Sequence, residues 1–119
     1  MKINEILLEM VDIPIGRGRG RATAKVLSVL YHSMRGRQRG PDDSIPGNPL
    51  SPKEKELEEL WREPSPTGYV WLSSHPLDPG SSLAIDVHSL DPNNLRYTGQ
   101  SEGYILHKGP IPAEAIIRS

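Results

Sequence analysis

Cysteine and phenylalanine are both missing from these 119 residues. Without thiols the chain has no disulfide framework, no thiolate zinc site and no cysteine nucleophile, which suits a reducing compartment. Without phenylalanine the rings are two tryptophans and four tyrosines, so each one carries a large share of any core. No apolar run approaches the ~20 residues that cross a bilayer, and no membrane partner is expected. The opening MKINEILLEM has acidic residues where a secretory signal needs an unbroken apolar region, so a cytoplasmic protein is expected.

What is present is a thin, loop-rich composition. Hydrophobic residues make up 35%, with twelve prolines and eleven glycines, which predicts a single domain over 1–119 with a small core. The net charge of -1 hides an asymmetry. Between Gly16 and Gly40 stand seven basic residues and no acidic one, including Arg17, Arg19, Arg21, Arg35, Arg37 and Arg39. This third is the only candidate surface for phosphate. No aromatic residue is interleaved with these arginines to stack bases, and a solvated arm is the favoured explanation of them. The glycines of GRGRGR alternate strictly and follow no convincing strand, so a dinucleotide fingerprint is absent.

Ile3, Ile6, Leu7 and Met10 have the spacing of one helical face, predicting an N-terminal helix ahead of the basic arm within 1–21. So short a helix needs a docking surface, on the body or on a protein partner. Val11–Ile15 reads as a short extended piece ending at Pro14. The core is expected over 22–119. Ala22–Tyr31 has helical and strand character; strand from Val26 onward is favoured, delivering His32 and Ser33 at its end. A Pro/Gly-rich loop follows at 36–51. Ser51, Pro52 and Glu54 form a capping-box pattern for a helix from Pro52 to about Arg62, with Leu57, Leu60 and Trp61 on its buried face. Tyr69–Ser73, Leu83–Val87 and Gly103–His107 read as strands, with a turn or short helical turn at 90–95 and a polar loop over 97–102. Beyond Pro112, Ala115–Arg118 is expected to pair at an edge. The fold class is α+β: a small mixed, mostly antiparallel sheet of short strands with few helices.

Several residues invite chemistry. His32 at a strand end, Trp71 in mid-strand and Glu102 in a Gly-rich loop are candidates for a site, and each also has an ordinary reading as a bonded histidine, a packed ring or a solvated carboxylate. Asp86 and His88 lie two apart and could join His75 or His107 at a metal. Their spacing matches no ligand motif, and no metal site is expected. No serine sits in a GxSxG elbow.

The order Tyr31-His32-Ser33, Gly-Tyr-Val-Trp-Leu-Ser-Ser, Ile-Asp-Val, Glu-Gly-Tyr-Ile-Leu and Gly-Pro-Ile-Pro-Ala-Glu-Ala-Ile resembles small members of the ADP-ribosyltransferase-like superfamily, which includes the RNA 2′-phosphotransferases. The resemblance runs from about Val26 to Ile117. It implies NAD as cofactor and ADP-ribose transfer to a macromolecule. His32 would hold the ribose hydroxyls, Trp71 or Tyr69 would stack on nicotinamide, and Glu102 would assist departure of the leaving ring. Ser33 and Arg35 complete the implied cofactor-binding set, and Ser33-Met34 replace the family's Gly-Thr. The MKINEILLE start is similar to those of some tailed-phage proteins, which implies an accessory protein in a host cytoplasm. On the same scaffold an inactive adaptor or inhibitor of a partner protein, or a nucleic-acid-binding accessory protein, remains the alternative.

Overall fold

A computed structural model describes residues 10–15, 23–61, 63–78, 80–98 and 104–117. The arm arginines Arg17, Arg19 and Arg21, the carboxylate Glu102 and nearly all of the expected N-terminal helix lie outside these residues. Met10, the last residue of that helical pattern, begins a strand instead.

Seven short strands are present: β1 (Met10–Pro14), β2 (Thr23–Leu27), β3 (Val29–Ser33), β4 (Tyr69–Leu72), β5 (Ser82–Asp86), β6 (Leu95–Tyr97) and β7 (Ile105–Lys108). All four ladders are antiparallel: β1 with β2, β3 with β5, and β7 between β4 and β6. Single bridges tie the ladders together, Tyr31 to Ser73 between β3 and β4, and the parallel pair Ile15 to Tyr97 between β1 and β6. Since β2 and β3 are separated only by Ser28, pairing runs in a ring from β4 through β3–β2, β1, β6 and β7 back to β4. The result is a small α+β fold, mostly antiparallel, whose helical part consists of short 3-10 turns among the described residues.

The single strand expected from Val26 is therefore two. Ser28 breaks it; its carbonyl accepts from Val87 N–H (2.9 Å) rather than from a ladder partner, and the chain passes from β1 to β5 as neighbour. Inside the ring, Ile13, Leu30, Ile45, Val70, Leu72, Ile85, Leu95, Ile105 and Ile111 are fully or almost fully buried. Fully burying each such side chain contributes about 1.5–3 kcal/mol, and these residues hold the fold despite its short strands.

The expected α-helix at Pro52–Arg62 is a 3-10 helix over Lys55–Leu60. Its bonds run i to i+3, from Leu57 N–H to Glu54 O and from Trp61 N–H to Glu58 O. Half of the capping box forms: Glu54 Oε1 accepts from Ser51 N–H, but Ser51 Oγ–H also donates to that carboxylate, so the cap satisfies no helical N–H with its hydroxyl. At three residues per turn Leu57 and Leu60 fall on one edge, and both are half-buried. Trp61 reaches the core by leaving the helix in extended conformation.

The 36–51 loop is irregular but pinned. Ile45 exchanges both backbone hydrogen bonds with Ile111, and Asn48 does the same with Tyr69. Buried Ile45 and Leu50 add apolar anchors. Near the C-terminus Ile116 bridges to Ile85, and Ile117 N–H donates to Ala84 O (2.8 Å), so the final segment pairs along the free edge of β5. The loop expected from Tyr97 begins one residue later, because Leu95–Tyr97 forms β6.

Candidate functional site

β3 and β4 are brought side by side by the Tyr31–Ser73 bridge, and β7 begins at the Leu72 end of β4. Around this corner lies a cleft of about 190 Å³ lined by Tyr31, His32, Ser33, Trp71, Leu72, Ser73, Leu77 and Tyr104. That volume is smaller than the roughly 300–1,000 Å³ of pockets that enclose a whole drug-sized ligand, and has room for a single substituted ring.

His32 sits at its wall and is buried. Nδ1–H donates to the carbonyl of Trp71 (2.7 Å), and Nε2 accepts from Arg37 Nη1 (2.7 Å). A carbonyl can only accept and a guanidinium can only donate, so these partners fix the neutral Nδ1–H tautomer. Burial pushes the His32 pKa below its ordinary value, the Trp71 carbonyl opposes this, and the Arg37 charge adds to the lowering. Arg37 also donates through Nη2 to Pro46 O, which fastens the loop to the site.

Trp71 is half-buried and meets Tyr104 edge-on, with ring centroids 6.0 Å apart. Ser33 Oγ–H donates to Asp78 Oδ2 at 2.5 Å, and Arg35 Nη1 lies 3.8 Å from the other Asp78 oxygen. Leu77, about half exposed, forms the outer rim.

Of the residues expected at a site, His32, Ser33 and Trp71 meet at this cleft, with Arg35 beside it through Asp78. Tyr69 does not line it. Its buried ring packs on Trp61 (5.4 Å between centroids), and its hydroxyl accepts from Ser65 N–H. Tyr69 instead borders a second groove of about 330 Å³ with Gly47, Lys55, Glu58 and Thr67. Glu102 lies outside the described residues.

The second arginine set does not form one phosphate-facing row. Arg35 is exposed, Arg39 Nε–H donates to Asp43 O, and Arg37 is turned inward to His32. Asp86 accepts from His88 N–H and Ser89 Oγ–H, and among the described residues no three His, Asp or Glu side chains are grouped to hold a metal ion. No helix among those residues is long and apolar enough to cross a membrane.

Sequence reasoning missed Asp78 and Tyr104 as parts of this corner, and took Arg37 for a phosphate-facing or solvated residue rather than the partner of His32. Asp78 had a signal, a carboxylate in the turn between two strands. Arg37 had none, because its role depends on where a loop returns.

No family model, curated protein or solved structure matches the chain.

Proposed function

We propose that the β3–β4 cleft takes the nicotinamide–ribose end of NAD and that the chain is an ADP-ribosyltransferase-like protein acting on a macromolecular acceptor. The observation that carries this reading is the 2.7 Å contact between His32 and the Trp71 backbone. Two residues 39 apart in sequence meet at a cleft of single-ring size, with Tyr104 edge-on to the indole. In the reaction the ribose C1′–nitrogen bond breaks, its electron pair stays on the nicotinamide ring, and an acceptor nucleophile bonds to C1′ as it loses its proton. Trp71 holds the leaving ring. His32 Nε2 accepts a ribose hydroxyl once Arg37 has released it. Glu102, two positions before Tyr104 in the chain, supplies the negative charge that lowers the cost of the cationic sugar.

The test is a calorimetric titration with NAD beside an assay of free nicotinamide over hours. Wild-type protein binds and releases nicotinamide; Glu102→Ala keeps binding and loses at least about 100-fold in release, the usual scale for removing one group that stabilises transition-state charge. Absence of both heat and nicotinamide from the wild type would end the proposal.

One observation favours a second reading, a scaffold that binds a partner without turnover. Both His32 nitrogens are already engaged, one by Arg37. NAD binding without nicotinamide release would select that reading.

A further inference from the structure

The cleft contains two serines, and their protons go to different kinds of acceptor. Ser73 Oγ–H donates to a carbonyl, that of His75 at 2.8 Å, and a carbonyl cannot take the proton away. Ser33 Oγ–H donates at 2.5 Å to the carboxylate of Asp78, which can. His32 does not serve as the base for either, because Nδ1–H is given to Trp71 O and Nε2 is held by Arg37, or by the ribose hydroxyl that takes its place in the NAD reading.

The carboxylate is also held in place. Asp78 N–H donates to Ser82 Oγ, while its own carbonyl accepts from Ser81 N–H and Ser82 Oγ–H (2.8 Å each). Met34 N–H, one residue past Ser33, donates to Ser81 O. The hydroxyl at the end of β3 and the carboxylate of the following strand's turn are thus fixed against one another, as a nucleophile and its base must be. Arg35 sets a counter-charge 3.8 Å from the far carboxylate oxygen.

We infer that Ser33 is the nucleophile of the cleft and that the chain modifies itself there, Ser33 accepting ADP-ribose from NAD. The inference rests on the reading of the cleft as an NAD site and names its acceptor. The Oγ–C1′ bond forms as the C1′–nitrogen bond breaks. The bonding pair leaves with nicotinamide, and the Oγ proton passes to Asp78 Oδ2. The products are a glycosidic ether on Ser33 and free nicotinamide.

Full-length protein is incubated with NAD, and three quantities are followed: nicotinamide, the intact mass, and the modified peptide. The expected result is a single ADP-ribose on the peptide that contains Ser33. Ser33→Ala removes it and Ser33→Thr, which keeps the hydroxyl, restores it. Asp78→Asn keeps a hydrogen-bond acceptor but cannot take the proton, and slows adduct formation by about 100-fold or more, the scale of general-base catalysis. If Ser33→Ala does not fold, the peptide map and the Asp78→Asn rate decide. Nicotinamide released together with free ADP-ribose, or an adduct on another residue, overturns the assignment of Ser33 and leaves the NAD reading standing. Failure of the wild type to bind NAD overturns both.

Discussion

Two residues apart on the same face of β4, Tyr69 and Trp71 meet opposite fates. Tyr69 is buried, with only its edge toward the second groove: Trp61 packs on it, and the guanidinium of buried Arg96 lies 5.3 Å from the Trp61 ring centre. Trp61 Nε1–H donates to Asn93 O, and Arg96 Nη1 donates to the carbonyls of Asn93 and Leu95. Trp71 also has an aromatic neighbour and a nearby arginine, but Tyr104 meets it edge-on at the mouth of a cleft and Arg37 reaches His32 instead of a ring. The residue types are nearly the same. What differs is whether a remote segment lies on top. The 3-10 helix and its Trp61 close the first corner, and nothing equivalent among the described residues covers the second. An aromatic–arginine cluster is thus covered or left open as a cleft according to a long-range contact, not its own chemistry.

The largest test of that contrast is truncation of each tryptophan. Trp61→Ala is expected to cost about 3–5 kcal/mol, because it removes a buried ring, its hydrogen bond and its cation–π contact. Trp71→Ala is expected to cost roughly 1–2 kcal/mol, since the ring is only half-buried, and, if the cleft takes NAD as proposed, to lower NAD affinity at least about tenfold. Urea denaturation of both variants measures the difference; equal losses would erase the distinction between the corners.

A second test acts on the sealed corner through the backbone. Gly68, which leads into β4, has φ +83°, and a Cβ there would lie 2.7 Å from the backbone of Asn48. Gly68→Ala combines left-handed strain of about 1–2 kcal/mol with that clash and is expected to lose at least about 2 kcal/mol. Retention of wild-type stability would show that the Asn48–Tyr69 pairing gives way freely.

The smallest effect is one of pH. His32 at the open corner and His107, buried on β7 with Nδ1–H donating to Gly109 O, are both lowered from the ordinary value of 6.5, chiefly by burial. A histidine that protonates less readily when folded gives stability present above 6.5 and lost as pH falls toward its lowered folded value. The denaturation midpoint should decline as pH drops below about 6.5, and His107→Gln should flatten the slope. A midpoint that rises on acidification from about 7 to 5 would contradict the burial of both imidazoles.

The strands of this fold were largely legible because their pattern is local. Tyr69–Ser73, Leu83–Val87 and Gly103–His107 lie within one or two residues of β4, β5 and β7. What was not legible depends on distant partners. Ser28 reads as an ordinary member of an apolar strand, and only Val87 donating to its carbonyl reveals the break. The leucine spacing around Leu57 did not announce a 3-10 helix, since i, i+3 spacing fits both helical forms. At the cleft, the pairing of His32 with Trp71 was anticipated from a resemblance rather than from spacing. Arg37 was read as one of a basic set facing phosphate or solvent, because nothing in RGRQRG tells which arginine turns inward.

That inward turn makes the loop and the cleft a single thermodynamic unit. Arg37 holds His32 Nε2 with one nitrogen and Pro46 O with the other, so a ligand that claims Nε2 must break the first of these bonds and loosen the second. By reciprocity, whatever releases the 37–46 segment tightens ligand binding by the same factor, and whatever fastens it weakens binding. Backbone exchange at Ile45, whose N–H donates to Ile111 O, is the second gauge, because that bond anchors the loop to the buried core rather than to His32. Ligand should accelerate exchange at Arg37, whose N–H donates to Met34 O, and leave Ile45 protected, so that the loop opens as a flap hinged on Ile45 rather than melting as a whole.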